Sequence, residues 1–361
     1  MSEHQDSIID YKENIQLNEI NKAQYGEVIT PMVLVSEMFD FLPQEAFEDP
    51  YLKWLDPGCG TGHFCIELYK RLNNGLKTKI KDEKERKHQI ITDMITMVDL
   101  NKEHTEHCRK IFGENANVFH NDFTTFVPKY SDKNKMPTKY DFIIGNPPYN
   151  SGGLKKTPTN QVYNKKEDGR TIWIDFVKQS LILLKENGYL LFIIPSIWMK
   201  PDKANMFQFM ILHNLVKIKC YSNTMTKSIF KGQAQTPTCI VLLQKAKSKR
   251  SVELWDNGKF IKYPLQSPLM SKDLLLPIPL CGSNIIRKLL LFIEKHGNLS
   301  SIVRKSNMPG KNNNLKKGPL SKLEREKYCF NNIATTKISQ GTIPELEIQY
   351  STQECAFAGK P

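Results

Sequence analysis

The sequence predicts an α/β protein: a Rossmann-like, seven-stranded, mostly parallel sheet followed by a small mixed appendage. Three observations carry this. Short apolar runs of strand type alternate with helical patterns from about residue 51 to residue 245, as in chained strand–helix–strand units. A glycine-rich turn, D-P-G-C-G-T-G at Asp56–Gly62, joins a strand pattern to a helical one, which is how the first unit of such a fold begins. The stretch D-F-I-I at 141–144 ends in three apolar residues, like a strand buried on both faces. Gly145 then releases it into Asn146-Pro147-Pro148-Tyr149.

Taken in order, residues 1–24 are a polar extension, irregular or loosely helical. Q-Y-G-E-V-I-T-P, Gln24 to Pro31, precedes a helical pattern over Val33–Leu42, with Thr30 fitting an N-cap and Pro31 the first helical position. Tyr51–Leu55 is the first strand and His63–Leu72 the helix after the glycine turn. Gly58, Gly60 and Gly62 allow a sharp turn and a close backbone approach to a ligand. The loop lacks the G-x-G-x-x-G spacing and is not a G-x-x-x-x-G-K-[ST] phosphate loop. Residues 73–93 form a charged exposed helix or insertion, which delays the second strand, Met94–Val98, ending at Asp99. An acid there suits ribose hydroxyls; capping of the next helix, Lys102–Phe112, competes with that role.

Ala116–His120 is the third strand, followed by Asn121-Asp122-Phe123, and Tyr140–Ile144 is the fourth. Residues 150–170, with Lys155, Lys156, Lys165, Lys166 and Arg170, read as a basic loop beside the Asn146 turn. A helix over Thr171–Glu186, capped by Gly188, leads to the fifth strand, Tyr189–Ile194. A helix near Lys203–Leu215, a sixth strand at Val216–Tyr221 and a seventh at Thr238–Gln244 continue the alternation. Phe230 opens the glycine turn before that last strand. After the basic linker Lys245–Arg250 the pattern changes to a hairpin at Ser251–Tyr263, a helix at Ile285–His296 and an asparagine-rich basic tail. The expected division is an extension at 1–24, the main domain at 25–248 and an appendage at 249–361.

The 361 residues carry a formal net charge of +13, unevenly placed. Residues 1–150 hold 18 Lys+Arg against 24 Asp+Glu; residues 151–361 hold 33 against 14. A basic half beside a mildly acidic one points to a polyanion held mainly by the second half, in competition with a merely solvated surface. Eight scattered cysteines, with no C-x-x-C pair and no metal-ligand spacing, suit a reduced, cytoplasmic protein without a metal centre. The first residues are polar and acidic, unlike a secretory signal, and the apolar run around Tyr189–Met199 is too short to span a bilayer.

The turn after the fourth strand carries the chemistry. In open α/β sheets ligands bind past the carboxyl ends of strands. Asn146 offers a side-chain carbonyl, and Pro147 a backbone carbonyl without a competing N–H. Together they can accept both hydrogens of an exocyclic amine while Tyr149 stacks on a planar base. N-P-P-Y and D-P-G-C-G-T-G-H-F resemble the catalytic motif and cofactor loop of S-adenosylmethionine-dependent amino-methyltransferases, above all the N6-adenine DNA methyltransferases. Q-Y-G-E-V-I-T-P, standing first, resembles the leading segment of their gamma-ordered group. The resemblance covers about residues 20–245.

That resemblance implies a closing antiparallel hairpin around Gln235-Thr236-Pro237 and S-adenosylmethionine as cofactor. It implies contacts to the cofactor from Tyr25, Thr30, Asp56, Gly58, Gly60, Gly62 and Asp99, with Asp122 on its adenine amine and Phe123 against the ring. It makes Asn146, Pro147, Pro148 and Tyr149 the catalytic set and Phe230 a stacking partner for an extruded base. A turn or cap role for Asp122 and hairpin packing for Phe230 stay open. Residues 249–361 resemble a short target-recognition region, and duplex DNA and a cognate restriction endonuclease are the implied partners. The competing readings are an RNA or protein-glutamine methyltransferase, an N4-cytosine enzyme, and an inactive DNA-binding specificity subunit.

Overall fold

The computed structural model describes Ile8 and residues 28–128, 139–150, 171–201, 204–234, 236–270, 275–296, 316–317, 319–328, 330–337 and 345–351. Among them, nine strands form one sheet: β1 (Trp54–Asp56), β2 (Ile95–Asp99), β3 (Asn117–His120), β4 (Tyr140–Gly145), β5 (Leu184–Pro195), β6 (His213–Tyr221), β7 (Thr238–Lys247), β8 (Ser251–Asp256) and β9 (Lys259–Pro264). Their spatial order is β3-β2-β1-β4-β5-β7-β6-β8-β9. Strand β1 pairs in parallel with both β2 and β4, so the order reverses beside it. That reversal opens a crevice at the carboxyl ends of β1 and β4, where open sheets of this kind bind ligands. Strand β7 runs antiparallel to both β5 and β6, which is the expected closing arrangement.

The hairpin read at Ser251–Tyr263 forms, but it extends this sheet: β8 joins β6 in parallel and β9 folds back on β8. One compact unit accordingly runs from Met1 to Ser283 and a second from Asn284 to Pro361.

Side chains alternate along the strands, and each face has its own core. Phe142 and Ile144 of β4, with Leu191 and Ile193 of β5, pack on one side. Ile143, Leu190, Phe192 and Ile194 pack on the other. Across the first face Phe47, Trp54, Phe142 and Tyr189 stack in a row, with the Trp54 and Phe142 ring centroids 4.1 Å apart. Stacking on this scale adds to the burial of large rings on neighbouring strands.

The helices are α1 (Met32–Phe39), α2 (His63–Gly75), α3 (Glu83–Gln89), α4 (Lys102–Phe112), α5 (Trp173–Leu183), α6 (Met206–Leu212) and α7 (Asn223–Ile229). The charged stretch 73–93 becomes α3 and a π-turn at Ile90–Met94. It is tied down by buried Arg86, which donates to Asn73 Oδ1 at 2.7 Å and to Ile80 O at 2.8 Å. Helix α5 stops before the expected Gly188 cap. Leu184 is already extended and pairs with Tyr140, and the register slips before Phe142 meets Tyr189. Gly188 sits in that irregularity, where a Cβ would come within 3.0 Å of Asp141 O. Helix α7 has no counterpart in the sequence reading; Ser222 caps it by accepting from Met225 N.

At the boundary and in the second unit lie α8 (Ser283–His296), β10 (Lys316–Lys317), α9 (Lys322–Lys327), β11 (Phe330–Lys337) and β12 (Glu345–Ser351). The last three strands form an antiparallel sheet in the order β10-β12-β11. No helix among the described residues is long and apolar enough to cross a membrane.

Candidate active site

The two sequence motifs meet at the strand reversal. After β1 the glycine loop is pinned to the end of β2: Cys59 N donates to Val98 O at 3.1 Å and Gly60 N to Asp99 Oδ2 at 2.8 Å. Gly60 and Gly62 hold φ of +48° and +88°, a region that penalises any Cβ. A Cβ on Gly60 would meet nothing within 4 Å, so this turn of backbone faces open space. Gly58 has no such need; its Cβ would only touch Pro148 and Phe176 at 3.8 Å. The same contact shows how closely the loop lies against the N-P-P-Y turn. Cys59 is buried with its Sγ 3.8 Å from Cys108 Sγ, a packing role.

Asp56, at the end of β1, is 1% exposed. Burial pushes its carboxyl up to about 8, and the negative charge of Asp99 adds to that; hydrogen bonds from Gly58 N and Cys65 Sγ pull the other way. Asp99 does not cap α4, because Asn101 does so by accepting from Glu103 N. The Asp99 carboxylate instead collects Gly60 N, Asn101 N at 2.8 Å and His104 Nδ1 at 3.2 Å. His104 was missed in the sequence reading; a histidine five positions after a strand-end acid, on the next helix's first turn, was the available signal.

Asp122 caps the short turn Phe123–Thr125 and accepts from Thr124 N and Oγ1 while remaining exposed. The cap reading is therefore realised in the structure. Phe123 is 2% exposed and packs between Phe126 and Phe176 in the core, so its ring is spent on packing.

In the N-P-P-Y turn, Asn146 Nδ2 donates to Thr30 Oγ1 at 3.0 Å. Among the described residues, the buried Asn146 Oδ1 meets no hydrogen-bond partner, and neither does the buried Tyr149 hydroxyl. Burial drives the Tyr149 phenol well above its ordinary range, so it stays neutral. The Tyr149 carbonyl accepts from Ile172 N at 3.1 Å, and Asn150 bridges to Thr171, which fixes the far end of the turn. Buried polar atoms are nearly always paired, and each exception asks for a reason. An unpaired acceptor beside a rigid proline pair is suited to a ligand that brings its own N–H groups.

Two residues depart from their expected roles. Thr30 is not an N-cap: α1 begins after Pro31 with no side-chain cap, and the Thr30 hydroxyl is committed to Asn146. Phe230 is no base-stacking platform as it stands. It is 1% exposed, because the turn after α7 folds its ring into the same core as Tyr221 and Ile240. Tyr25, Lys155, Lys156, Lys165 and Lys166 lie outside the described residues. Among the described residues no group of three or more His, Cys, Asp or Glu stands where it could hold a metal ion.

Residues 29–230 match the family described as "Eco57I restriction-modification methylase". An uncharacterized adenine-specific methylase of Mycoplasma pneumoniae is 26% identical over 258 residues, covering 52% of this chain and 59% of the relative. Modification methylase CviBIII of Paramecium bursaria Chlorella virus NC1A is 28% identical over 186 residues, covering 50% and 40%. The type II restriction enzyme and methyltransferase RM.Eco57I of Escherichia coli is 25% identical over 316 residues, covering 71% and 31%. The chain thus spans between about a third and three-fifths of the length of these relatives.

Proposed function

The chain belongs to the Eco57I restriction-modification methylase family, and from that premise we propose that it transfers a methyl group from S-adenosylmethionine to the N6 amine of adenine in duplex DNA. The observation that carries the reading is the buried Oδ1 of Asn146 beside the glycine loop, which has no partner among the described residues. An aromatic amine is a poor nucleophile because its lone pair is delocalised into the ring. Asn146 Oδ1 and the Pro147 carbonyl would accept its two hydrogens and stabilise the positive charge that develops on nitrogen. Tyr149, half-buried against the core, would hold the base plane.

The residues of the loop fit the cofactor. The open backbone at Gly60, the turn that Gly62 permits and the acid at Asp99 would hold its methionine and ribose parts, with Asp56 at the start of the loop and exposed Asp122 in the turn after β3 as further candidate contacts. When bound, S-adenosylmethionine supplies an activated methyl and a good leaving group, so the chain's task is positioning rather than strong base catalysis. A paired adenine hides its amine, so the base must leave the stack to reach Asn146. The basic residues after 150, Lys155, Lys156, Lys165 and Lys166 among them, would hold the phosphates during that extrusion. The same reading implies a cognate restriction endonuclease as a functional partner.

The test is direct. The purified chain is incubated with methyl-labelled S-adenosylmethionine and duplex DNA, RNA or protein, and the products are digested and identified by mass spectrometry. N6-methyladenine from duplex DNA is the expected product. Label in N4-methylcytosine, RNA or glutamine, or in nothing, would overturn the reading.

A further inference from the structure

We infer that Thr30 is a positioning residue for the methyl transfer proposed above, holding the Asn146 amide with its oxygen turned toward the substrate amine. A side-chain amide has an accepting end and a donating end, and an incoming amine that must give up two hydrogens can use only the oxygen. Here the donating end is already spoken for: Asn146 Nδ2 gives its hydrogen bond to Thr30 Oγ1 at 3.0 Å, and the buried Oδ1 has no partner among the described residues. The two residues are 116 positions apart, so the N-terminal segment, not the N-P-P-Y turn itself, supplies this restraint.

Thr30 is placed to act as a fixed post. It is 5% exposed, and its own carbonyl pairs with Nδ1 of His63, the first residue of α2 after the glycine loop, at 2.8 Å. The next residue, Pro31, has its carbonyl held by Leu34 N and Val35 N at the start of α1. The backbone that carries the hydroxyl is therefore held in place on both sides. A hydroxyl can also donate, and could serve a flipped amide by giving to Oδ1. That arrangement would set the Nδ2 hydrogens against the hydrogens of the amine, so only the observed orientation satisfies all groups once substrate arrives. Without the hydroxyl, Nδ2 loses its acceptor in the reactive orientation. The penalty falls where Oδ1 is most tightly engaged, in the transition state, and so on kcat.

Thr30→Val keeps the shape and removes the hydroxyl; Thr30→Ser keeps the hydroxyl. Single-turnover methyl transfer should fall about ten- to a hundredfold in Thr30→Val. Cofactor affinity and the unfolding midpoint should stay close to those of the parent, and Thr30→Ser should recover most of the rate. In NMR spectra the side-chain NH2 pair of Asn146, identified by its loss in Asn146→Asp, should shift in Thr30→Val and persist in Thr30→Ser. Equal rates for parent and Thr30→Val overturn the inference. So does a rate loss matched by an equal loss of cofactor affinity, which would make Thr30 a cofactor contact, or a failure of Ser to restore the rate. If the parent methylates a different amine, the proposed substrate falls and the same variants are compared on that amine. If it transfers nothing, the NMR arm decides, and an unmoved Asn146 pair in Thr30→Val sinks the inference.

Discussion

The Cβ that Gly145 lacks would stand 3.0 Å from Asp56 Oδ1, so the last residue of β4 and the last residue of β1 are fitted to each other across the strand reversal. Gly145 also holds a φ of +153°. Both motifs begin at this contact: the glycine loop leaves from Asp56 and the N-P-P-Y turn leaves from Gly145.

Gly145→Ala should therefore disturb both halves of the site at once. Backbone strain and the close approach together should lower stability by about 1–3 kcal/mol, read by calorimetric unfolding, with a loss of both cofactor affinity and turnover. A variant with parental stability and affinity would show that the two strand ends have slack.

Asn146→Ala removes one of the two amine acceptors and leaves the glycine loop untouched. Turnover should fall on the order of a hundredfold or more, with cofactor affinity nearly intact. Titration calorimetry beside single-turnover assays separates the two quantities, and near-normal transfer would remove Asn146 from the catalytic set.

Asp56 gives the ligand-free protein a pH signature. Its carboxyl keeps a proton up to about pH 8 in the folded chain, against an ordinary value of 3.8. The folded state thus binds more protons than the unfolded state between those limits. The stability linked to this group is fully present below about pH 4 and is lost as pH rises through about 8. The neutral variant Asp56→Asn escapes that loss, so its unfolding midpoint should gain on the parent's from pH 4 to pH 8 and hold a constant offset on either side. A pH-independent offset would mean that the parental carboxyl titrates normally.

Phe230 distinguishes packing from base stacking. As a buried core ring, its replacement by Ala should cost about 3–5 kcal/mol of stability, while Phe230→Leu should keep most of the fold and of the methyl transfer. A Leu variant that stays folded but no longer reacts with duplex DNA would restore Phe230 to the substrate site.

The strands, the glycine loop and the N-P-P-Y turn were legible in the sequence because their signals are local. Strand burial shows as an apolar run, a positive-φ turn as glycine, and a rigid strand-end turn as paired prolines. The acid at Asp99 was legible for the same reason: it follows directly from where β2 ends. What tertiary structure decided lies in contacts between distant segments. Thr30 looks like a helix cap beside its proline, yet its hydroxyl goes to Asn146, 116 positions away. Gly188 looks like a helix stop, yet it sits in the slip of the β4–β5 register, close against the Asp141 carbonyl. Phe230 reads in the sequence as a turn aromatic open to stacking or to hairpin packing, and an unforeseen helix folds it into the core. The hairpin after residue 250 looks like the start of a separate region, yet β6 offers a free edge and backbone pairing draws it into the sheet. A pattern read along the chain tells which backbone a segment prefers. Which partner completes its hydrogen bonds and fills its packing depends on segments that only the folded chain brings together.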